Sequence, residues 1–222
     1  MTTPSISAVI FDVDGILVNT VPFHFRAWKQ AFGEEGIPFE KEYYQRINGI
    51  PRDTGVALIL KDDATPERIR DIGERKQNYY LELIEKKPPQ PLAGITSLLR
   101  EIRNAGWRMA AASSSKNALT VLTAAKIREH FDVIVTGNDF RHPKPHPDIF
   151  LTAAHLLKAE PAVTAVVEDA ANGVRAARAG GFRCIAVANS EPSDTLRTAG
   201  ASIVVPTTKD LTMDLFDGLA QV

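Results

Sequence analysis

Two carboxylates lie two residues apart in the segment Phe11-Asp12-Val13-Asp14-Gly15, which follows an apolar run and ends in a glycine. Alternate side chains of an extended chain point to the same side, so Asp12 and Asp14 are expected to face one way. One carboxylate can attack an electrophile while its neighbour transfers protons, and both can help to hold a divalent cation. The same pattern also fits an Asp-Gly turn whose acidic side chains are simply solvated.

Three later segments add polar side chains after further apolar runs. Ser113–Asn117, which reads Ser-Ser-Ser-Lys-Asn, offers an anion hydroxyl groups and a helix N-terminus, or it is a plain serine N-cap. Lys144 lies among alternating prolines that would hold its ammonium in place, or it is a solvated lysine on a stiff loop. Glu168-Asp169 supplies further carboxylates, unless Asp169 merely caps the next helix.

Six apolar runs of strand length predict a buried parallel sheet, because several lack polar alternation and helix-like segments separate the later runs. The predicted strands are Ile6–Phe11, Trp107–Ala112, Val133–Thr136, Ala165–Val167, Cys184–Ala188 and Ile203–Val205. The predicted helices between the later strands are Gly94–Ala105, Asn117–Lys126, Pro147–Leu157 and Gly173–Ala179. The carboxyl ends of parallel strands form one ligand-binding edge, so the four polar segments are expected to meet there.

The segment between the first and second strands shows no strand pattern. It predicts four helices instead: Pro22–Glu35, Lys41–Ile47, Asp53–Leu60 and Pro66–Ile84. Clustered prolines in the segment 86–91 then predict a stiff return linker, since proline cannot continue a helix. We therefore expect an α/β fold, a doubly wound, Rossmann-like parallel sheet formed by residues 1–18 and 88–222, with an inserted all-helical cap domain at residues 19–87.

Composition excludes several classes of protein. The 222 residues include 26 Lys+Arg and 27 Asp+Glu, giving a net charge of −1, and 44% are hydrophobic. This balance excludes a disordered chain and gives no electrostatic case for a nucleic-acid partner. Cys184 is the only cysteine, which rules out an internal disulfide and favours a reducing compartment. The chain begins without a signal-peptide pattern and its apolar runs are too short for a bilayer, so we expect a cytoplasmic monomer without membrane partners.

The four polar segments together supply a nucleophile, a hydroxyl, a cation and metal-binding carboxylates, a set that suits phosphoryl transfer. In order and context they resemble the four motifs of the haloacid dehalogenase-like (HAD) superfamily: Asp12-Val13-Asp14-Gly15, Ser113, Lys144 and Glu168-Asp169. The resemblance implies Asp12 as the nucleophile that forms an aspartyl-phosphate and Asp14 as the general acid/base. It also implies Mg²⁺ held by Asp12, the Asp14 carbonyl and Asp169, with Glu168 close by. Ser113 and Lys144 would bind the transferring phosphate.

Segments of the expected cap look like those of the β-phosphoglucomutase subfamily. In that subfamily a cap arginine and a Ser-Lys-Asn segment grip a second, non-transferring phosphate. The matching residues are Arg52, which follows the glycine turn at Gly49, with Ser115, Lys116 and Asn117. The resemblance also implies that His24, Trp28 and Lys76 hold the sugar or couple cap closure to acid–base chemistry. Each has an ordinary alternative: His24 as a buried histidine with its hydrogen bonds satisfied, Trp28 as part of the cap core, and Lys76 as a solvated lysine.

The sequence departs from the family pattern at a few cap-loop positions. Asn48 stands where a lysine is common, Gly55 where a serine is expected, and Asn19-Thr20 where the first motif usually ends in Asp-Thr. These changes bear on sugar specificity more than on phosphoryl chemistry. His142 and His146 resemble a metal-binding pair, but the prolines between them oppose a helix that would align them, so we assign them no ligand role.

The sequence therefore predicts a Mg²⁺-dependent enzyme that interconverts β-D-glucose 1-phosphate and glucose 6-phosphate through a bisphosphate. The alternative enzyme is a sugar phosphatase of the same superfamily, in which water discharges the aspartyl-phosphate. A dehalogenase is disfavoured, because Asp14 and the acidic fourth motif serve a proton and a cation that dehalogenation does not need. A non-enzymatic phospho-acceptor module is a more remote alternative, and the long helical insert argues against it.

Overall fold

The structure, a computed structural model, describes residues 5–47, residue 50 and residues 52–219. The chain forms two compact units. One contains the residues up to Asn19 together with those from Pro89 onward, and the other contains Thr20–Pro88. We call them the sheet unit and the helical unit.

The sheet unit is built on six parallel strands, and it contains the six strands predicted from the apolar runs. They are β1 (Ala8–Asp12), β2 (Arg108–Ala112), β3 (Val133–Val135), β4 (Thr164–Glu168), β5 (Arg183–Val187) and β6 (Ile203–Val205). Their order is β3-β2-β1-β4-β5-β6. The chain therefore extends the sheet from β1 to one side and then returns to extend it to the other. Such a reversal of strand order creates a crevice at the carboxyl ends of the central strands.

The helical unit contains α1 (Val21–Gly33), α2 (Lys41–Ile47), α3 (Arg52–Leu60) and α4 (Pro66–Lys86), which match the four predicted helices. The Thr65 hydroxyl accepts a hydrogen bond from the Arg68 amide at 3.3 Å, and Pro66 occupies the first turn, so α4 begins with two favourable N-terminal signals. Aromatic and aliphatic side chains from all four helices and the α1–α2 connection form one core.

The other helices of the sheet unit are α5 (Ile95–Asn104), α6 (Ala118–Ala124), α7 (Asp148–Leu157), α8 (Ala171–Ala179), α9 (Ser193–Ala199) and α10 (Met213–Gly218). Four of them were predicted, whereas α9 and α10 were not. In α9, Leu196 is the one large apolar side chain, so the sequence there shows no repeat at helical spacing. Across the described ranges, no helix combines the length and apolar character needed to span a bilayer.

Candidate active site

Asp12 is the last residue of β1, at the carboxyl end of a strand paired on both sides. The strand is buried throughout, and Asp12 keeps only 8% of its surface exposed. A buried carboxylate needs a partner, and the Lys144 Nζ lies 2.5 Å from the Asp12 Oδ1. The same Nζ lies 2.6 Å from the Glu168 Oε1. One ammonium thus joins carboxylates from two neighbouring strands.

Lys144 reaches these carboxylates from the loop between β3 and α7. Its Nζ also lies 4.9 Å from the ring centroid of Phe150, a buried residue of α7. Burial alone would lower the pKa of Lys144, but the charges of Asp12 and Glu168 hold it above the ordinary value. Lys144 is therefore a permanent cation at the end of the central strands.

Glu168 is the last residue of β4 and is held by backbone as well as by Lys144. Its Oε2 accepts hydrogen bonds from the amides of Asp169 at 2.7 Å and Ala170 at 2.9 Å. Gly173 leaves the space that this carboxylate fills, because a Cβ at Gly173 would lie 1.7 Å from the Glu168 Oε1. The orientation of Glu168 therefore depends on a glycine one turn into α8.

Gly173→Ala is expected to lower the free energy of unfolding by about 1–3 kcal/mol, because the new methyl group forces Glu168 off its partners. A matched control is Gly33→Ala at the end of α1, where a Cβ would meet nothing within 4 Å. That change should leave stability unchanged or raise it by up to about 1 kcal/mol. Urea unfolding of both variants measures the difference. Equal stability of the two would show that Gly173 does not position Glu168.

Asp169 follows β4 and lies against the turn that carries Asp14. A Cβ at Gly15 would lie 1.8 Å from the Asp169 Oδ2, and Gly15 has a positive φ of 81° that favours glycine. The Ser190 hydroxyl donates a hydrogen bond to the same Oδ2. The Asn189 side-chain amide donates to the Gly15 carbonyl at 2.7 Å. This glycine therefore permits the close approach of Asp169 to the first motif.

Sequence reasoning did not single out Asn189 and Ser190. Both come directly after the predicted strand Cys184–Ala188, at the same edge of the sheet as the other polar segments. Polar residues that follow parallel strands meet at one edge of the sheet, and the same reasoning applies to Asn189 and Ser190.

The carboxylates at this edge repel one another. Burial raises the pKa of Asp12 well above its usual range; Lys144 opposes the shift, and the charges of Glu168, Asp169 and Asp14 reinforce it. Burial, reinforced by Glu168, raises the pKa of Asp169 to about 7, against the opposing Ser190 hydrogen bond and Lys144 charge. Among the described residues, Lys144 forms ion pairs with Asp12 and Glu168 that offset part of this charge. The arrangement favours an additional cation bound by oxygen atoms.

The segment Ser113–Asn117 follows β2 and turns tightly on its own hydroxyl groups. Ser113 is 2% exposed, and its Oγ accepts the Ser115 amide at 3.0 Å. The Ser115 Oγ in turn accepts the Asn117 amide at 3.1 Å. Lys116 is exposed. The alternative of a plain serine N-cap is wrong, because the N-cap of α6 is Asn117 and its side chain makes no capping hydrogen bond.

In the helical unit, Lys76 of α4 contacts His24 of α1. The Lys76 Nζ lies 2.9 Å from the His24 Nδ1 and 5.0 Å from the ring centroids of Trp28 and Tyr80. Lys76 is 5% exposed, so the alternative of a solvated lysine is wrong. His24 has its partner in Lys76, and Trp28 is 6% exposed and stacks on Phe32 within the core. These contacts agree with the ordinary alternatives for His24 and Trp28, and their roles towards a sugar stay predictions.

The burial of His24 beside Lys76 predicts a pH-dependent stability. Burial, aided by the charge of Lys76, lowers the pKa of His24 from 6.5 to about 3. Below pH 6.5 the unfolded chain therefore binds a proton at His24 that the folded chain does not. This difference lowers the free energy of unfolding by about 1.4 kcal/mol per pH unit as the pH falls from 6.5 towards 3.

His24→Gln is expected to flatten this part of the pH dependence, measured by urea unfolding at several pH values. The control His155→Gln changes an exposed histidine on α7 and should keep the slope of the unaltered protein. An unaltered slope in His24→Gln would contradict the neutral His24.

Arg52 is the first residue of α3, and its Nε lies 3.0 Å from the Asp53 Oδ1. More than a third of its side chain is exposed, so the guanidinium is accessible to an anion. Gly55 is buried in α3, where a Cβ would meet Ile47 at an ordinary 3.4 Å. Asn48 and Gly49 lie outside the described residues, so their expected roles stay predictions.

The prolines between His142 and His146 oppose a shared helix, as expected, yet the two side chains still come together. They do not share a helix, but both rings turn towards Asp148 at the start of α7, and their centroids lie 4.6 Å apart. The loop backbone, rather than a helix, brings the two rings to Asp148.

Comparison with known proteins gives three kinds of match. The family model described as haloacid dehalogenase-like hydrolase matches residues 9–187. A β-phosphoglucomutase of Bacillus subtilis is 36% identical over 214 residues, 94% of this chain and 92% of its own. A phosphorylated carbohydrates phosphatase of Thermotoga maritima is 29% identical over 184 residues, 80% of this chain and 83% of its own. The crystal structure of β-phosphoglucomutase from Clostridium difficile aligns with a TM-score of 0.85 and 29% identity, over 97% of each chain.

Proposed function

The chain belongs to the haloacid dehalogenase-like hydrolases, and on that premise we propose that it interconverts β-D-glucose 1-phosphate and glucose 6-phosphate through a phosphorylated Asp12. The observation that carries the proposal is the buried Asp12 at the end of β1, with the Lys144 ammonium 2.5 Å away. A carboxylate that attacks a phosphate must approach another anion. The cation beside Asp12 offsets that repulsion where little water can screen it.

In the proposed reaction the Asp12 carboxylate attacks phosphorus, and the bond to the leaving oxygen breaks as Asp14 donates its proton. Asp14 then takes a proton from the sugar hydroxyl that attacks the aspartyl-phosphate, which regenerates Asp12. Lys144 and the Ser113 hydroxyl bind oxygens of the transferring phosphoryl group. The cycle starts from phosphorylated Asp12, and transfer of its phosphoryl group to the substrate gives a bisphosphate. The bisphosphate reorients in the site and returns its other phosphoryl group to Asp12.

The residues around Asp12 fit a magnesium ion. The residues expected to hold it offer oxygens only, namely the Asp12 and Asp169 carboxylates and the Asp14 carbonyl, with Glu168 nearby, and Mg²⁺ prefers such donors. The pKa of about 7 at Asp169 is consistent with a carboxylate that lacks a full cationic partner. When bound, Mg²⁺ would neutralise charge on the phosphoryl oxygens.

Asp169→Ala is expected to raise the Mg²⁺ concentration needed for half-maximal activity by about 10- to 100-fold, because one anionic ligand is lost. EDTA should stop turnover of the unaltered protein, and added Mg²⁺ should restore it. Asp217→Ala, a change at an exposed position of α10, is the control and should keep the original requirement. An unchanged Mg²⁺ titration in Asp169→Ala would show that the ion is bound elsewhere.

We assign the second, non-transferring phosphate to Arg52 and to the segment of Ser115, Lys116 and Asn117. Arg52 can supply a charge-assisted, bidentate contact from an accessible guanidinium. His24, Trp28 and Lys76 are proposed to hold the sugar or to couple its binding to acid–base chemistry, and Gly49 to shape the turn before Arg52. The domain roles, the monomeric state and a cytoplasmic location stay predictions.

The second candidate function is hydrolysis of a sugar phosphate, with water discharging the aspartyl-phosphate. It is favoured by the 29% identity to the phosphatase of Thermotoga maritima. Both reactions use Asp12, Asp14, Lys144 and Mg²⁺. They differ in whether a sugar hydroxyl or water accepts the phosphoryl group.

One assay separates the two functions. The protein is mixed with β-glucose 1-phosphate, Mg²⁺ and a trace of glucose 1,6-bisphosphate, and glucose 6-phosphate and free phosphate are followed separately. We expect glucose 6-phosphate to form much faster than free phosphate. Free phosphate as the main product would reject the mutase and support the phosphatase.

A further inference from the structure

A second cluster of polar side chains lies on the loop that carries Lys144 and on the first turn of α7. The Nδ1 atoms of His142 and His146 lie 2.8 Å from the Oδ2 and Oδ1 of Asp148, respectively. Within the described ranges, these three form the one group of three or more His, Cys, Asp or Glu side chains whose donor atoms all lie within 4.8 Å of one another. The proposed phosphoryl transfer uses none of them.

We propose that His142, His146 and Asp148 bind a divalent transition-metal ion of the zinc, nickel or copper type. Two imidazole nitrogens and one carboxylate oxygen suit these borderline ions, whereas Mg²⁺ prefers oxygen donors throughout. Metal–nitrogen bonds of about 2.0 Å place tetrahedral ligands about 3.3 Å apart. The two contacts with Asp148, at 2.8 Å, would therefore open by about 0.5 Å, and no pair of donor atoms would close by more than about 1.5 Å.

The cluster combines one fixed ligand with two adaptable ones. The Asp148 carboxylate also accepts the His142 backbone amide at 3.1 Å and lies in the first turn of α7, where the helix dipole favours a negative charge. The side chains of His142 and His146 are 59% and 50% exposed, so an ion can reach them and the rings can turn. Small ring movements are enough to exchange the two contacts with Asp148 for bonds to a shared ion.

The cluster lies on the same loop as Lys144, but its nitrogen donors distinguish it from the oxygen donors around Asp12. His142 and His146 flank Lys144 two residues away on either side, and Asp148 belongs to the helix that follows. An ion bound by all three would link the loop to α7 around the residue that binds the transferring phosphate. The ion is recognised here by nitrogen donors, so excess Mg²⁺ should not displace it.

The test is direct binding of Zn²⁺ to the full-length protein, measured by isothermal titration calorimetry in excess Mg²⁺. The test variant is His142→Gln/His146→Gln, and His155→Gln is the control because it removes an exposed histidine outside the cluster. We expect one Zn²⁺ per chain in the unaltered protein and the control, and at least about tenfold weaker binding in the double variant.

Co²⁺ provides a second readout, since its visible absorption reports ligand type and geometry at the bound ion. The unaltered protein should give a spectrum of mixed nitrogen and oxygen ligands that the double variant lacks, while circular dichroism shows that both are folded. Binding of Zn²⁺ with equal affinity to the double variant and the unaltered protein would overturn the proposal. So would the absence of Zn²⁺ binding to the unaltered protein at millimolar concentration.

Discussion

Asp12→Asn is expected to lower turnover at least about a thousandfold, which corresponds to about 4 kcal/mol in the activation barrier. The amide keeps the shape of the side chain but is a poor nucleophile, so no aspartyl-phosphate can form. The substitution also removes a charge that burial already disfavours, since the pKa of Asp12 is raised. We therefore expect the folded state to keep at least its original stability. Steady-state rates and urea unfolding of the same preparation measure the two effects.

The control for this experiment is Asp217→Asn, at an exposed position of α10. It removes one carboxylate from the same unit and should leave turnover within about twofold of the unaltered protein. Turnover of Asp12→Asn within tenfold of the unaltered protein would remove Asp12 from the role of nucleophile.

Arg52→Ala is expected to slow isomerisation of glucose 1-phosphate by about 2–4 kcal/mol in transition-state stabilisation, roughly 30- to 1000-fold in rate. The proposed contact with the non-transferring phosphate would retain the bisphosphate and help to exclude water while this intermediate reorients. Acetyl phosphate has no second phosphate, and its hydrolysis uses only Asp12, Lys144 and Mg²⁺. That reaction should fall much less, and measuring both rates in one preparation controls for misfolding.

Arg70→Ala is the matched control for Arg52→Ala. Both arginines lie on helices of the helical unit, and each pairs with the aspartate that follows it, Arg70 with Asp71 at 3.1 Å and Arg52 with Asp53 at 3.0 Å. Such exposed ion pairs contribute little to stability, so loss of the Arg70–Asp71 pair should leave the protein folded. We therefore expect Arg70→Ala to keep both rates. Equal losses of both activities in Arg52→Ala, or no loss of either, would reject the second-phosphate role and with it the preference for a mutase.

The sheet and the place of its polar edge could be predicted because they follow from local signals. Apolar runs gave all six strands with end shifts of up to two residues, and the carboxyl-end rule brought Asp12, Lys144 and Glu168 together. The short helix Ser193–Ala199 buries only Leu196 and Ala199, so it left no periodic pattern to detect.

Contacts between distant residues could not be predicted in the same way. Lys76 lies among charged neighbours in the sequence, and its burial depends on His24, which is 52 residues away. His142 and His146 converge on Asp148 through the conformation of a proline-rich loop, for which the chain has no repeating period. The space that Gly15 leaves for Asp169 likewise depends on the pairing of β1 with β4, and the space that Gly173 leaves for Glu168 depends on how α8 packs beside β4.

The most direct test of the account is to follow the phosphoryl group itself. The protein is phosphorylated with acetyl phosphate and Mg²⁺, quenched in acid within one turnover, and digested for mass spectrometry. A parallel sample receives β-glucose 1-phosphate before the quench. We predict one phosphoryl group on the peptide that contains Asp12, and its transfer to the sugar as glucose 1,6-bisphosphate in the parallel sample. A phosphoryl group on a different residue, or its complete release as inorganic phosphate in the presence of the sugar, would contradict the account.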